Sequence, residues 1–346
     1  MKRALITGIR GQDGAYLASF LLKKGYEVIG ADRRNGADSN WRLKELGIDK
    51  DVKTIYMDLL ELTNIIRVLE KTKPDEIYNL AAQSYVAVSF EQPIFTSEVN
   101  AIGVARLLEA VRLVNPRLKF YQASSSEMFG QTKTVYQDEN TPFYPKSPYG
   151  ISKLFGHWTT VNYREAYDMF ACCGICFNHE SPLRGLEFVT RKITYSLAEI
   201  KYGLRERLIL GNLEAKRDWG YAPEYVEAMW LMLQAGRADD YVVATGETHS
   251  VKEFFEIAAE IADFKIKWAK RKNMLIGIDE KKGKAIIKVA DELRRPAEVS
   301  ELRGNAQKIK KILGWQPQVK FEELVGKMMQ ADLRRLKNAA RKRKTY

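Results

Sequence analysis

The sequence predicts an α/β protein: a doubly wound parallel sheet with a smaller C-terminal lobe. Three observations carry this. Short apolar runs alternate with helix-length patterns through the first half, as strands joined by right-handed crossovers do. The first run, "RALITG", passes straight into the glycine-spaced "GIRGQDG". After Asn178 the alternation breaks, and Pro182, Gly185, Gly203 and Gly211 interrupt the chain.

In order, "RALITG" is read as a strand, "GAYLASFLLKKG" as a helix, "EVIGAD" and "KTIYMD" as strands, and "TNIIRVLEKTKP" as a helix. Then come strand "DEIYNLA", helix "NAIGVARLLEAVRLV", strand "KFYQAS", helix "GHWTTVNYREAYD" and strand "ACCGICFN". The helix "YVEAMWLMLQAG" and strand "DYVVATG" restore the pattern, and "VKEFFEIAAEIADF" is a further helix before a polar, basic region around "AKRKN". Residues 1–178 with 216–246 are assigned to the sheet domain, 179–215 with 247–333 to the lobe that caps it, and 334–346 to a basic tail.

Composition narrows the function classes. With 346 residues, 45% of them apolar, the chain can bury a sizeable core. No apolar run reaches the roughly 20 residues that span a bilayer, and "MKRALITG" enters a strand instead of a signal peptide, so a cytoplasmic protein without a membrane partner is expected. Cys172, Cys173 and Cys176 crowd one apolar run without a second ligand pair, which points to buried thiols and no metal site. Of the net charge of +12, seven charges belong to the acid-free end "LRRLKNAARKRKTY". The remaining body, near +5, suits anionic small molecules, and the end reads as a solvated helix terminus; no nucleic-acid partner is expected.

In "TGIRGQDG", Gly8, Gly11 and Gly14 stand between strand and helix, with Gln12 and Asp13 opening the helix. This is a variant of the Rossmann-type dinucleotide fingerprint: glycines admit a pyrophosphate to the backbone, and the helix N-terminus supplies amide donors. The second strand ends in "ADRRN". Asp32 suits the 2′-hydroxyl of NAD, whereas Arg33 and Arg34 suit the 2′-phosphate of NADP; two adjacent guanidiniums favour NADP. Asp58 and Leu59 of "MDLL" would flank the adenine, and Leu80, Ala81, Ala82, Gln83 and Ser84 of "LAAQS" would run along the phosphates.

The fifth strand ends unusually, in "FYQASSSEMFG", with hydroxyls and a carboxylate at the lip of the sheet. Beyond it, "SPYGISK" sets Tyr149 and Lys153 four apart on one helical face. A free tyrosine, pKa ~10, is ionised about once in a thousand at neutral pH. A neighbouring ammonium and a cationic nicotinamide would lower that value and make Tyr149 a base.

Together these features resemble the extended short-chain dehydrogenase/reductase superfamily and, within it, the GDP-mannose 4,6-dehydratase family. The resembling stretches include "TGIRGQDGAYLASFLLKKGYEV", "IYNLAAQSYVAVSFEQP", "TPFYPKSPYGISK", "FNHESPLRGLEFVTRKIT", "LGNLEAKRDWGYAPEYVEAMW", "RPAEV" and "LGWQP", and they span nearly the whole chain. The resemblance implies a catalytic set of Ser125, Glu127, Tyr149 and Lys153, with Ser125 where the family has threonine. It implies a cofactor role for His179 and Arg184, and substrate contacts from Ser84, Glu127, Asn178, Arg191, Lys192, Gly211, Asn212, Lys216, Arg217, Arg295 and Glu298. The implied reaction turns GDP-D-mannose into its 4-keto-6-deoxy derivative by internal hydride transfer from C4 to C6 with loss of water. Phe95 stands where the family carries tyrosine, and "RRNGADSNW" departs from the family's Arg-Arg-Ser-Ser in a loop that reaches a neighbouring subunit in relatives, which implies a homodimer or homotetramer. Three readings stay open: a GDP-manno-heptose dehydratase, a reductase of the keto product, which would not need Glu127, and an idle dinucleotide-sensing or RNA-binding protein.

Overall fold

The computed structural model describes residues 1–34, 40–271, 274–290, 299 and 301–343, with backbone only at 271 and 338–343. Its first part comprises β1 (Arg3–Thr7), α1 (Gln12–Lys23), β2 (Glu27–Asp32), α2 (Trp41–Glu45), β3 (Lys53–Tyr56), α3 (Leu62–Thr72), β4 (Glu76–Asn79), α4 (Val86–Glu91), α5 (Pro93–Ser97), α6 (Gly103–Val114), β5 (Lys119–Ser125), α7 (Pro148–Tyr167), β6 (Ala171–Cys176) and β7 (Asn178–Glu180). There follow α8 (Val189–Lys201), β8 (Leu208–Leu210), β9 (Lys216–Arg217), β10 (Trp219–Tyr221), α9 (Ala222–Gln234), β11 (Asp240–Val243), β12 (His249–Ser250), α10 (Val251–Ile261), β13 (Ile266–Arg271), β14 (Met274–Asp279), β15 (Lys284–Val289), β16 (Glu301–Leu302), α11 (Gln307–Leu313) and α12 (Phe321–Arg343).

Seven strands form one all-parallel sheet in the order β11-β6-β5-β4-β1-β2-β3. Their runs are apolar because both faces are covered. Leu17, Leu21 and Met229, from α1 and α9, pack on one side, and Ile65, Leu107 and Val111, from α3 and α6, on the other. The order reverses between β1 and β4, so a crevice opens there at the carboxyl ends of the strands, the usual ligand position in such sheets. The glycine turn follows β1, residues 80–84 follow β4, Ser125 ends β5 and Asn178 follows β6, so all four converge on it.

A second core, with Leu197, Phe254, Phe255, Met328 and Met329, holds α8, α10 and α12 together under a sheet ordered β13-β14-β15-β8. The basic region around "AKRKN" is therefore part of an antiparallel ladder, Ile266 facing Asp279 through Arg271 facing Met274. The alternation is present in the sequence, with Ile266 and Trp268 half-buried and Lys267 and Lys270 exposed, but the outward lysines obscure it. α10 opens with a complete capping box between Ser250 and Glu253.

The C-terminal end also differs from expectation. Position 334 lies inside α12, where Arg335 bonds to Glu45 of α2 at 2.6 Å and to Asp332 at 2.7 Å, and Leu336 is buried. This part of the supposedly solvated end is a packed inter-element contact. Among the described residues no helix is long and apolar enough to cross a membrane.

Candidate active site

The cradle after β1 is built by close approach. Gly8 has φ +68°, and a Cβ there would lie 2.9 Å from Ala81 N; on Gly14 it would lie 2.4 Å from Gly8 O. Thr7 Oγ1 fixes the facing loop, accepting from Leu80 N and Ala81 N at 3.0 Å each. Gly11 is the N-cap of α1 and brings no side chain to its first amides. The glycines let the turn, the start of α1 and the loop after β4 pack backbone to backbone, and the helix amides that no side chain caps, beside a cavity lined by Gly8, Gly11 and Gly14, fit a dinucleotide pyrophosphate.

Above the cradle lies a cavity of about 410 Å³. Gly8, Gly11, Gln12, Asp13 and Gly14 line one end, with Leu80, Ala82 and Ser84. Ser125, Glu127, Tyr149 and Lys153 line the middle. Asn178, Lys192, Gly211, Asn212 and Arg217 also line it, as do His179 and Arg184, the histidine directly against Asp13.

α7 places the tyrosine and lysine. Ser147 caps it, its Oγ accepting from Gly150 N at 3.0 Å, and Pro148 starts it. A Cβ at position 150 would lie 2.7 Å from Glu127 O, so glycine lets the helix start lie against the strand-end carboxylate residue. Because Ser147 caps α7, Glu127 is not needed for that task. Ser125 Oγ accepts from Glu127 N at 3.2 Å and orders the single turn Ser126–Met128.

Burial governs the tyrosine and the lysine in the protein without a dinucleotide. Burial pushes the Tyr149 phenol up to about 12; Ser125 and Arg184 oppose the rise and Glu127 adds to it. Lys153 is itself pushed down to about 8 by burial. Its Nζ donates to Ala123 O at 2.9 Å and lies 5.8 Å from the tyrosine ring centre. Burial of the phenol outweighs the opposing effects of Ser125 and Arg184.

His179 Nε2 lies 2.8 Å from Asp13 Oδ2, and its Nδ1 lies 2.7 Å from Phe177 O. The ring stacks on Tyr225 at 4.5 Å. Asp13 holds the imidazole's pKa above its ordinary value against burial, the largest influence, while the Asp13 carboxyl, which burial raises, is drawn by His179 down to about 2. Arg184 ion-pairs with Glu180 at 3.1 Å and lies 3.5 Å over the Phe188 ring.

Other expected contacts lie elsewhere. Arg191 is buried, pairs with Asp332 at 3.2 Å, donates to Arg184 O at 2.6 Å and faces the Trp41 ring; a guanidinium so engaged holds α8 to α12 and does not line the cavity. Lys216 is exposed on β9 and is also absent from the lining. Gln83 is held by Asn100 and Thr96, outside the lining. Ala81 backs the glycine turn, Asp58 caps the turn after β3 by accepting from Leu60 N at 3.0 Å, and Leu59 is a core residue. Arg33 and Arg34 are exposed at the end of β2, with Arg33 6.0 Å over the Phe95 ring. Arg295 and Glu298 lie outside the described residues, as does most of the loop after Arg34. Sequence reasoning missed Tyr85, Glu187 and Phe188, which line the cavity; "GLEFVT" lay within a resembling stretch but carried no charge pattern that singled it out.

The three thiols are buried as expected, and burial raises all of them. His157, Cys173 and Asp240 bring potential ligand atoms within 4.8 Å of one another. Both Asp240 oxygens, however, accept from Arg164 at 2.8 Å, so this is an ion-pair site.

A switch-point crevice, a glycine cradle and a Tyr-Lys pair beside a strand-end carboxylate define a nicotinamide-dinucleotide enzyme acting on a small polar substrate. The family model "GDP-mannose 4,6 dehydratase" matches residues 5–328. GDP-mannose 4,6 dehydratase 2 of Arabidopsis thaliana is 52% identical over 342 residues, covering 96% of this chain and 87% of that protein. The Homo sapiens GDP-mannose 4,6 dehydratase is 49% identical, with 95% and 91% covered. Among solved structures, UDP-glucose 4-epimerase of Thermotoga maritima shares the fold, with a TM-score of 0.80 at 22% identity, covering 97% of this chain and 99% of that one. The chain belongs to the GDP-mannose 4,6-dehydratase family.

Proposed function

We infer that the protein is a hydro-lyase that converts GDP-D-mannose to GDP-4-keto-6-deoxy-D-mannose, with NADP as a tightly recycled cofactor. The observation that carries this is the convergence of Ser125, Glu127, Tyr149 and Lys153 on one cavity beside the glycine cradle. The cradle would hold the pyrophosphate. When bound, the nicotinamide supplies reversible hydride transfer, so that the overall reaction is redox-neutral.

The chain's own groups supply proton chemistry. Tyr149 Oη accepts the proton of the sugar O4, with Ser125 Oγ keeping that hydroxyl in line. The C4 ketone acidifies C5–H, and the Glu127 carboxylate takes that proton. The same group, now protonated, gives its proton to the C6 hydroxyl, which leaves as water. Lys192 and Arg217, facing the cavity from the lobe side, are assigned to the anionic GDP moiety.

The sheet domain is thus proposed to hold the cofactor and the lobe the nucleotide sugar. A homodimer or homotetramer is also proposed; Ile151, Phe155 and Trp158, spaced along α7 and 57%, 46% and 55% exposed, support self-association, and light scattering tests it. Incubation with GDP-mannose and NADP+, followed by mass and NMR analysis of the sugar, tests the reaction. A 4-keto-6-deoxy product with no net reduced cofactor is expected; an unchanged hexose refutes the assignment.

A further inference from the structure

The proton chemistry uses Tyr149 and Lys153 of α7 and leaves a third buried side chain of the same helix face, His157, without a task. The three recur at every fourth residue, so they stack along one side of the helix. That side is joined to the end of β5 turn by turn. A Cβ at position 150 would meet Glu127 O at 2.7 Å, Lys153 Nζ donates to Ala123 O at 2.9 Å, and His157 Nδ1 is hydrogen-bonded to Ser124 Oγ at 3.1 Å. Ser124 and His157 are both buried. Ser124 lines the main cavity immediately before Ser125, whereas His157 is absent from the lining. The imidazole therefore holds the strand one residue ahead of the Ser125 hydroxyl, and holds it from the helix that carries the tyrosine.

The rest of α7 is fastened without this bond. Ser147 caps the helix start, and towards the other end Arg164 donates to both oxygens of Asp240 at 2.8 Å and to Ala171 O at 2.9 Å. Packing alone would be served by any ring of this size: the imidazole lies 5.3 Å from the Phe143 ring and 5.4 Å from the Trp158 ring. The nitrogen adds what packing does not. A hydrogen bond fixes a distance and a direction between helix and strand, and a small error in either is costly where reacting groups must line up.

We propose that His157 is a positioning residue of the reaction: through Ser124 it sets the end of β5 against α7, so that Ser125 and Glu127 meet the sugar in line with Tyr149. This rests on the dehydratase reading and adds to it a residue that touches neither sugar nor dinucleotide.

Two substitutions separate the nitrogen from the ring. His157→Phe keeps the ring and leaves Ser124 without its partner, whereas His157→Asn keeps a polar atom at the place of Nδ1 and gives up ring packing. Turnover of GDP-mannose, calorimetric titration with GDP and with NADP+, and thermal melting compare both with the full-length parent. In His157→Phe, kcat should fall about ten- to hundredfold, with KM and both affinities within about threefold. His157→Asn should recover most of the loss although it melts at the lower temperature. Ser124→Ala should lose as much kcat as His157→Phe, and the double variant no more than either. The proposal is overturned if His157→Asn recovers nothing, so that kcat follows the melting temperature, or if His157→Phe keeps kcat within about threefold of the parent. If His157→Phe does not fold, Ser124→Ala decides: a loss of about tenfold or more in kcat supports the proposal and a smaller one overturns it. If the parent leaves GDP-mannose unchanged, the dehydratase reading fails on its own. The carbon-13 NMR signal of Tyr149 Cζ, assigned with Tyr149→Phe, then reads the same displacement without substrate: a shift in His157→Phe that His157→Asn reverses supports the positioning role, and a signal unmoved in both overturns it.

Discussion

Replacing His179 by glutamine tests the charge pair at the foot of the phosphate cradle. Both ring nitrogens face groups that only accept, the Asp13 carboxylate at 2.8 Å and the Phe177 carbonyl at 2.7 Å, so both donate and the ring is an imidazolium. The Asp13 carboxyl falls from 3.8 to about 2 although burial alone would raise it. A depression of that size corresponds to about 2–3 kcal/mol. Because the folded-state value is depressed, this stability is present above the unfolded value near 3.8 and is lost as pH falls towards 2. The histidine's folded value is raised above 6.5, so its share is complete below 6.5 and is lost as pH rises through the folded pKa. The pair is therefore strongest between about pH 4 and 6.5. Loss of the Tyr225 stack adds about 0.5–1.5 kcal/mol that does not depend on pH. The variant should be destabilised by about 2–4 kcal/mol at pH 5.5 and by clearly less at pH 9. Urea unfolding of parent and variant at both values measures this, and a cycle with Asp13→Asn isolates the pairwise part. An equal deficit at pH 5.5 and 9, with no coupling in the cycle, would show that the imidazole is neutral and the reasoning wrong.

Glu127→Gln should lower formation of the dehydrated sugar by about 10²–10⁴ while Tyr149, Lys153 and Ser125 still support oxidation; reduced cofactor should accumulate by absorbance, and solvent deuterium should enter C5 more slowly. Ending the chain after Leu333 should destabilise the protein by about 2–3 kcal/mol through loss of buried Leu336 and the Arg335–Glu45 contact, whereas ending it after Lys337 keeps both, and thermal melting compares the two. Asp218 accepts from Thr245 N, Thr245 Oγ1, Gly246 N and Gly304 N at 2.7–3.2 Å. Asp218→Asn sets an amide donor against these donors and should cost about 1–3 kcal/mol at pH 7. The parent carboxyl is raised by burial to about 6, so the parent gains stability as pH falls from 6 towards 3.8; the variant should lack that slope in pH-dependent unfolding.

The glycine turn, the strand-end hydroxyls and carboxylate, and the Tyr149–Lys153 spacing were legible in the sequence because each is local. A tight turn, a strand terminus and one helical turn fix their residues' relative positions within a few positions of chain. The parallel sheet was legible for a similar reason, since alternating strand and helix runs leave few topologies open. Charges were not legible in this way. Arg191 and Arg217 look alike as letters, yet one is held by Asp332, 141 positions away, outside the cavity lining, and the other donates to Val299 O, 82 positions away, and lines the cavity. Arg10 and Asp32 are 22 positions apart and meet because β1 and β2 are neighbours in register, Thr7 beside Ala31. The depth of burial that raises the phenol of Tyr149 and lowers the ammonium of Lys153 was likewise not written in their spacing. The sequence by itself determined which chemical groups are available and which short-range frames carry them. The tertiary structure decided which charges are consumed by partners and how deeply each is desolvated, because both depend on distances between elements far apart in the chain.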